Sequence, residues 1–166
     1  MLRWELVPSW ADDPEIGSRM INARSETPPE KPSFRSAFRR RRCLIPADGF
    51  YEWKRENGDK QPYYFRMQDG HPFAGLWESW EKGDGTLRTC TILTTRANSV
   101  LEGVHDRMPV IVPSDFYNAW LDPDADREEL GELTVPYPGD DLEIYPVSRF
   151  VNSPRNNDER CTEPAA

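Results

Sequence analysis

At 166 residues, with 37% hydrophobic and 30% charged positions, the chain has material for one hydrophobic core and too little for two comfortable ones. No apolar run approaches the ~20 residues of a membrane-crossing helix, and the opening Met1-Leu2-Arg3-Trp4 has no basic region followed by an apolar stretch, so membrane and secreted readings fall. The net charge of −8 is one-sided: nine acids face only Arg127 between Asp122 and Glu143, leaving 20 acids and 20 bases elsewhere.

Residues 12–31 hold three prolines and no periodicity, so tertiary contacts must order them. Arg35 and Arg39 to Arg42 then place five arginines in eight residues. Three short-turn signals follow, Asn57-Gly58, Asp69-Gly70 and Asp84-Gly85. They separate aromatic-rich segments at 49–54, 62–67, 72–80 and 87–95, which read as an antiparallel meander. Further strands are expected at 109–112 and 142–147. Ser114 or Asp115 is placed to cap a short helix through Leu121, and Asp124 or Asp126 a second through Leu133. The tail from Asn152 reads as loop. Strands outweigh helices, so the expected class is α+β: one domain over 1–166 built on a curved, barrel-like sheet of mainly antiparallel strands.

Cys43, Cys90 and Cys161 are odd in number and far apart, which fits reduced thiols in the cytoplasm better than a disulfide framework. With two histidines and no C-x-x-C pair, no metal is expected. Phosphate loops, dinucleotide fingerprints and nucleophile elbows are absent.

Three polar clusters remain. In Asn22-Ala23-Arg24-Ser25-Glu26-Thr27, Arg24 can fork onto a phosphate, or Asn22 and Ser25 can simply satisfy a turn. In Asp48-Gly49-Phe50-Tyr51-Glu52-Trp53, the aromatic flanks of Glu52 would desolvate it and raise its pKa, unless it faces water across the pleat. In His105-Asp106-Arg107-Met108-Pro109, His105 suits proton transfer at a substrate oxygen, or anchors a loop beside Asp106 and Arg107. The basic run is either a solvated face or, with Phe34, Phe38 and Trp10 nearby, a surface for single-stranded nucleic acid.

Read in order, Trp4-Glu5-Leu6-Val7-Pro8-Ser9-Trp10, Asn22 to Thr27, Cys43-Leu44-Ile45-Pro46-Ala47-Asp48-Gly49-Phe50-Tyr51-Glu52-Trp53, Thr94-Thr95, His105 to Pro109 and Pro146-Val147-Ser148 resemble the SRAP family (SOS-response-associated peptidase), the abasic-site processing proteins. The resemblance implies a monomer that shields abasic sites in single-stranded DNA through a thiazolidine crosslink, with lyase and autopeptidase chemistry, no cofactor and no membrane partner. It implies that Glu52 assists sugar ring opening, that His105 contacts the sugar oxygen, and that Asn22 positions the N-terminal residue. Arg24 and Arg107 would bind phosphate, Thr94 would line the pocket, and Trp10 would stack near the lesion; Arg35, from the basic run, is expected to join the DNA-binding surface. The family nucleophile is a cysteine directly after the initiator methionine. This sequence opens on Met1-Leu2-Arg3 and enters the pattern partway, so the expectation is an N-terminally incomplete domain, from a late start codon or a shortened relative that has lost crosslinking; the alternatives are a catalytically silent single-stranded DNA-binding module, or a peptidase using His105 with Ser25 or Thr94 as nucleophile.

Overall fold

The computed structural model describes residues 2–56, 58–68, 70–82 and 85–165. In chain order the strands are β1 (Arg3–Trp4), β2 (Asn22–Arg24), β3 (Arg42–Ile45), β4 (Gly49–Glu56), β5 (Asp59–Met67), β6 (Phe73–Trp80), β7 (Leu87–Arg96), β8 (Arg107–Pro109) and β9 (Leu142–Pro146). The helices are α1 (Arg35–Arg40), α2 (Tyr117–Leu121) and α3 (Arg127–Glu132), with short 3₁₀ turns between elements.

Strand β7 organises the larger sheet because its two faces differ. Thr89, Thr91, Leu93 and Thr95 are buried on one side, while Ile92 and Thr94 stay half-buried on the other. Along one edge β7 pairs with β6, from Gly75 opposite Ile92 to Trp80 opposite Leu87, and then with β8, Thr94 opposite Pro109. The other edge takes β1 and β2 in parallel, with Trp4 opposite Cys90 and Asn22 opposite Ile92. Strand β3 closes the far side against β6. The second sheet has three antiparallel strands in the order β4-β5-β9.

The α+β class holds, but the sheet is divided. The meander breaks between β5 and β6, which belong to different sheets, and the two sheets do not close into a barrel. Among the turn signals, Gly58 and Gly70 adopt φ of +88° and +63°, while Asn57, Asp69 and Asp84 lie outside the described residues. The strand expected at 109–112 lies at Arg107–Pro109, with Ile111 bridging Phe73 beyond it. The first expected helix starts as a 3₁₀ turn at Ser114–Phe116 with no side-chain cap. The second opens on Asp126 in a capping box with Glu129.

Alternation then fixes two cores. Ala74, Leu76 and Leu93 pack with Ala37, Phe38, Trp120 and Leu130 beneath the three helices. On the opposite face, Phe73 meets Phe65, Met67, Leu101 and Met108 between the sheets. There Phe50 stacks on Phe65 at 4.9 Å and meets the Phe73 ring edge-on at 5.9 Å, so aromatic contacts couple β4 to β6 across the gap.

The arginine run is not one surface. Arg42 is 8% exposed and donates to the carbonyls of Trp120, Phe38, Arg39 and Asp122. Arg41 pairs with Glu78 at 2.7 Å. Arg35, Arg39 and Arg40 remain exposed on α1.

Candidate functional site

Between the sheets, beside the aromatic contact, lies a cavity of about 880 Å³. Its walls come from β1, β2, β7 and β8 on one side and from the segment Leu44 to Trp53 on the other. Most of the lining is apolar, with Leu44, Ile45, Phe50, Ile92 and Met108 among it. Asn22, Glu52, Thr94, His105 and Arg107 bring the polar groups. Such a lining with a few convergent polar groups is the usual character of a ligand site.

Glu52 reaches the cavity by pleat parity. It shares a face of β4 with Phe50, whose ring points to β6, while Tyr51 and Trp53 take the other face. There the Tyr51 hydroxyl donates to the Cys161 carbonyl and the Trp53 indole to Asn152. Desolvation of Glu52 therefore comes from burial between the sheets rather than from its aromatic neighbours in sequence. That burial raises its pKa above the ordinary carboxylate value, an effect partly opposed by His105 and by the Trp53 backbone.

His105 stands at the foot of β8, at the end of a loop anchored by the fully buried Leu101. Asn98 accepts the Leu101 amide at 3.0 Å, and the His105 amide donates to the Leu101 carbonyl at 3.0 Å. The Arg107 amide approaches His105 Nδ1 at 3.1 Å, and the same nitrogen lies 3.2 Å from the Arg107 carbonyl oxygen. Nδ1 also lies 3.8 Å from Glu52 Oε1 and 3.4 Å from Asp106 Oδ1.

The Arg107 guanidinium forks onto Glu26 at 2.7 and 3.0 Å and reaches the Thr94 carbonyl, with the Thr94 hydroxyl at 3.4 Å. It is thus engaged inside the chain. Glu26, pulled below the ordinary carboxylate range by that hydrogen bond, also feels Arg96. Cys90 lines the cavity too, but burial raises its pKa; burial pushes Cys43 up to about 12, and Cys161 is buried away from the cavity. A thiol so disfavoured as thiolate is a poor nucleophile. Ser25 is 8% exposed and donates to the Thr134 carbonyl at 3.5 Å, which gives it no contact with His105.

Asn22, Glu52, Thr94, His105 and Arg107 are brought together; three other expected residues are not among the lining. Arg24 is exposed on β2, directly opposite Thr94. Trp10, 55% exposed, lies near the Trp80 end of β6, where its carbonyl accepts from Lys82 and that of Ala11 from Trp80. Arg35 heads α1, whose Ala37 and Phe38 pack on the opposite face of the large sheet. Trp4, which lines the cavity and donates to the Ile21 carbonyl at 2.7 Å, had no assigned role, and neither had Glu26. Both stand inside quoted motifs, so their polar or aromatic character beside site residues was the available signal.

Comparison with known proteins places this geometry. The family profile described as SOS response associated peptidase (SRAP) matches residues 1–154. This chain belongs to the SRAP family. Among SRAP relatives, the chain is 48% identical over 167 residues to the abasic site processing protein YoqW of Bacillus subtilis, an alignment covering 98% of this chain and 75% of that one. It is 34% identical over 190 residues to the abasic site processing protein HMCES of Xenopus tropicalis, covering 96% of this chain and 55% of the relative. A crystal structure of a Bacteroides thetaiotaomicron protein superposes with a TM-score of 0.93 at 30% identity, covering 99% of this chain and 76% of the other. The fold described above therefore recurs in a solved structure. Among the described residues, no helix is long and apolar enough to cross a membrane.

Proposed function

We propose that this chain processes abasic sites in DNA, with single-stranded DNA as the preferred form, by receiving the ring-opened sugar in the cavity between the sheets. One observation carries the reading: Asn22, Glu52 and His105, from separate parts of the chain, line one cavity. The relatives' names supply the substrate class.

The chemistry follows from the environments. Opening the sugar ring breaks the C1–O4 bond, with one proton leaving the C1 hydroxyl and one arriving at O4. Glu52, raised by burial, holds a proton at higher pH than an exposed carboxyl and can deliver and recover it. His105, held beside the Arg107 backbone, can exchange a hydrogen bond or a proton with a sugar oxygen. The Asn22 amide, at the exposed edge of β2, can hold a neighbouring polar group without changing charge.

The test compares a single-stranded oligonucleotide carrying one abasic site with the same strand intact. Tighter binding of the abasic strand, abolished by the double variant Asn22→Ala/His105→Ala, is the expected result. Equal affinity of the wild-type chain for both strands overturns the proposal.

A further inference from the structure

The loop over 97–106 carries His105 from the end of β7 to the start of β8, and the Ala97 amide closes its neck on the Asp106 carbonyl at 3.0 Å. Inside the loop, one buried side chain makes two contacts. Asn98 accepts the Leu101 amide on Oδ1 at 3.0 Å and donates from Nδ2 to the Tyr137 carbonyl at 2.9 Å. The Leu101 carbonyl in turn accepts from the amides of Val104 at 2.8 Å and His105 at 3.0 Å. The oxygen of Asn98 therefore shapes the turn that ends at His105. Its nitrogen ties that turn to the segment leading into β9.

The receiving side matches this contact. Gly139 bends with φ of +90°, and a Cβ there would stand 2.6 Å from Asn98 Nδ2. Glycine alone tolerates both the bend and the close approach. The Gly139 carbonyl then accepts the Leu142 amide at 3.0 Å, where β9 begins. Strand β9 pairs with β5 and β5 with β4, the strand of Glu52. Ala97, Leu101, Val104 and Tyr137 also share the apolar core between the sheets, but apolar packing is non-directional. The Asn98 amide supplies direction, linking the loop that bears the imidazole to the sheet that bears the carboxyl.

Resting on the reading of the site given above, we infer that Asn98 is a positioning residue: by holding the His105 loop to the segment before β9, it sets the separation of His105 from Glu52 that sugar ring opening uses.

The titration of Glu52 reports that separation. Burial raises its pKa, His105 and then the Trp53 backbone draw it back, and Asp106 adds a smaller push upward. Trp53 belongs to β4 itself, whereas His105 and Asp106 both ride on the Asn98 loop. A loop that moves away removes more downward pull than upward push.

The Glu52 carboxyl carbon, identified by its absence in Glu52→Gln, is followed by NMR through a pH titration of the whole chain. Asn98→Ala and, independently, Gly139→Ala should move its midpoint to higher pH. His105→Ala should do the same, and adding Asn98→Ala to it should move the midpoint no further upward. Leu130→Ala, a destabilising truncation in the core beneath the helices, should leave it in place. On an abasic single strand, the limiting single-turnover rate of Asn98→Ala should fall by roughly 10²-fold, the usual cost of a misplacement of about 1 Å, with the half-saturating DNA concentration kept within about twofold. An unmoved midpoint in Asn98→Ala and Gly139→Ala, an equal upward step with and without His105, an equal step in Leu130→Ala, or an unchanged rate overturns the assignment and leaves the function standing. A wild-type chain inert on abasic DNA overturns the function and the role in ring opening, while the midpoints still decide whether Asn98 holds the pair together.

Discussion

Oε1 of Glu52 and Nδ1 of His105 stand 3.8 Å apart, close enough to feel each other's charge and too far for a hydrogen bond. The carboxyl is raised by burial and drawn partly back down by the imidazole. This pairing of one partly buried acid with one half-exposed imidazole is the electrostatic centre of the cavity.

Glu52→Gln tests both its charge and its role. The folded chain keeps a proton on Glu52 to higher pH than the unfolded chain does. Its stabilising influence is therefore complete below 4.5 and fades as pH rises through the raised folded value. The amide never ionises, so the variant should melt above the wild type at pH 7.5, with the gap closing by pH 4. Turnover of abasic DNA should fall by about 10²–10⁴-fold, the usual worth of a positioned acid–base group. Thermal melts at the two pH values and a single-turnover assay check the two halves separately.

Glu26→Gln weakens the fork between Arg107 and Glu26. Arg107 holds the Glu26 carboxyl below its ordinary value, so this contribution is present above 4.5 and is lost as pH falls through the lowered value. Loss of the charged fork on a half-exposed partner should cost about 1–2 kcal/mol at pH 7. Urea unfolding at successive pH values should show that deficit narrowing below 4.5.

Gly49→Ala tests the floor of the cavity. A Cβ at Gly49 would lie 2.3 Å from the Phe65 carbonyl oxygen and 2.7 Å from the Tyr64 ring, and the backbone oxygen cannot step aside. The strand must shift, at a cost of about 1–3 kcal/mol or more. Because Gly49 opens the strand that carries Glu52, binding of abasic DNA should weaken along with stability. Denaturant melts and the binding assay, run on the same preparation, check this.

Arg42→Met separates a buried arginine from its exposed neighbours. Removing the guanidinium strands the carbonyls of Trp120 and Asp122. The expected loss is about 2–4 kcal/mol, from charge-assisted hydrogen bonds and newly unpaired carbonyls. Arg39→Met, on the exposed side of α1, should change stability by less than about 0.5 kcal/mol.

The sequence made the strands visible where local chemistry dictates them. Alternation and aromatic content marked 49–54 and 87–95, and the Asp126 cap marked α3. Long-range pairing was not visible: nothing local to Trp4 or Asn22 reveals parallel partners at Cys90 and Ile92. The break between β5 and β6 was hidden for the same reason, because Gly70 supplies a tight bend whichever sheet follows. Within the site, Asn22, Glu52 and His105 were picked out by residue type and motif. The face on which Glu52 lies needed the packing of Phe50 on Phe73. Arg42 looked like its neighbours because a run of like residues carries no sign of which one the core will swallow.

The parallel pairing of β2 with β7 has a consequence for biosynthesis. Asn22 leaves the ribosome early, but its neighbours across the ladder are Ile92 to Thr94, and His105 lies later still. More than eighty residues separate Asn22 from His105, so the pocket forms only after a long stretch of chain has followed β2, and such distant closures are slow to form. Until then the early segments are synthesised without their final partners, so a ribosome-stalled fragment ending before β8 should have no grip on damaged DNA.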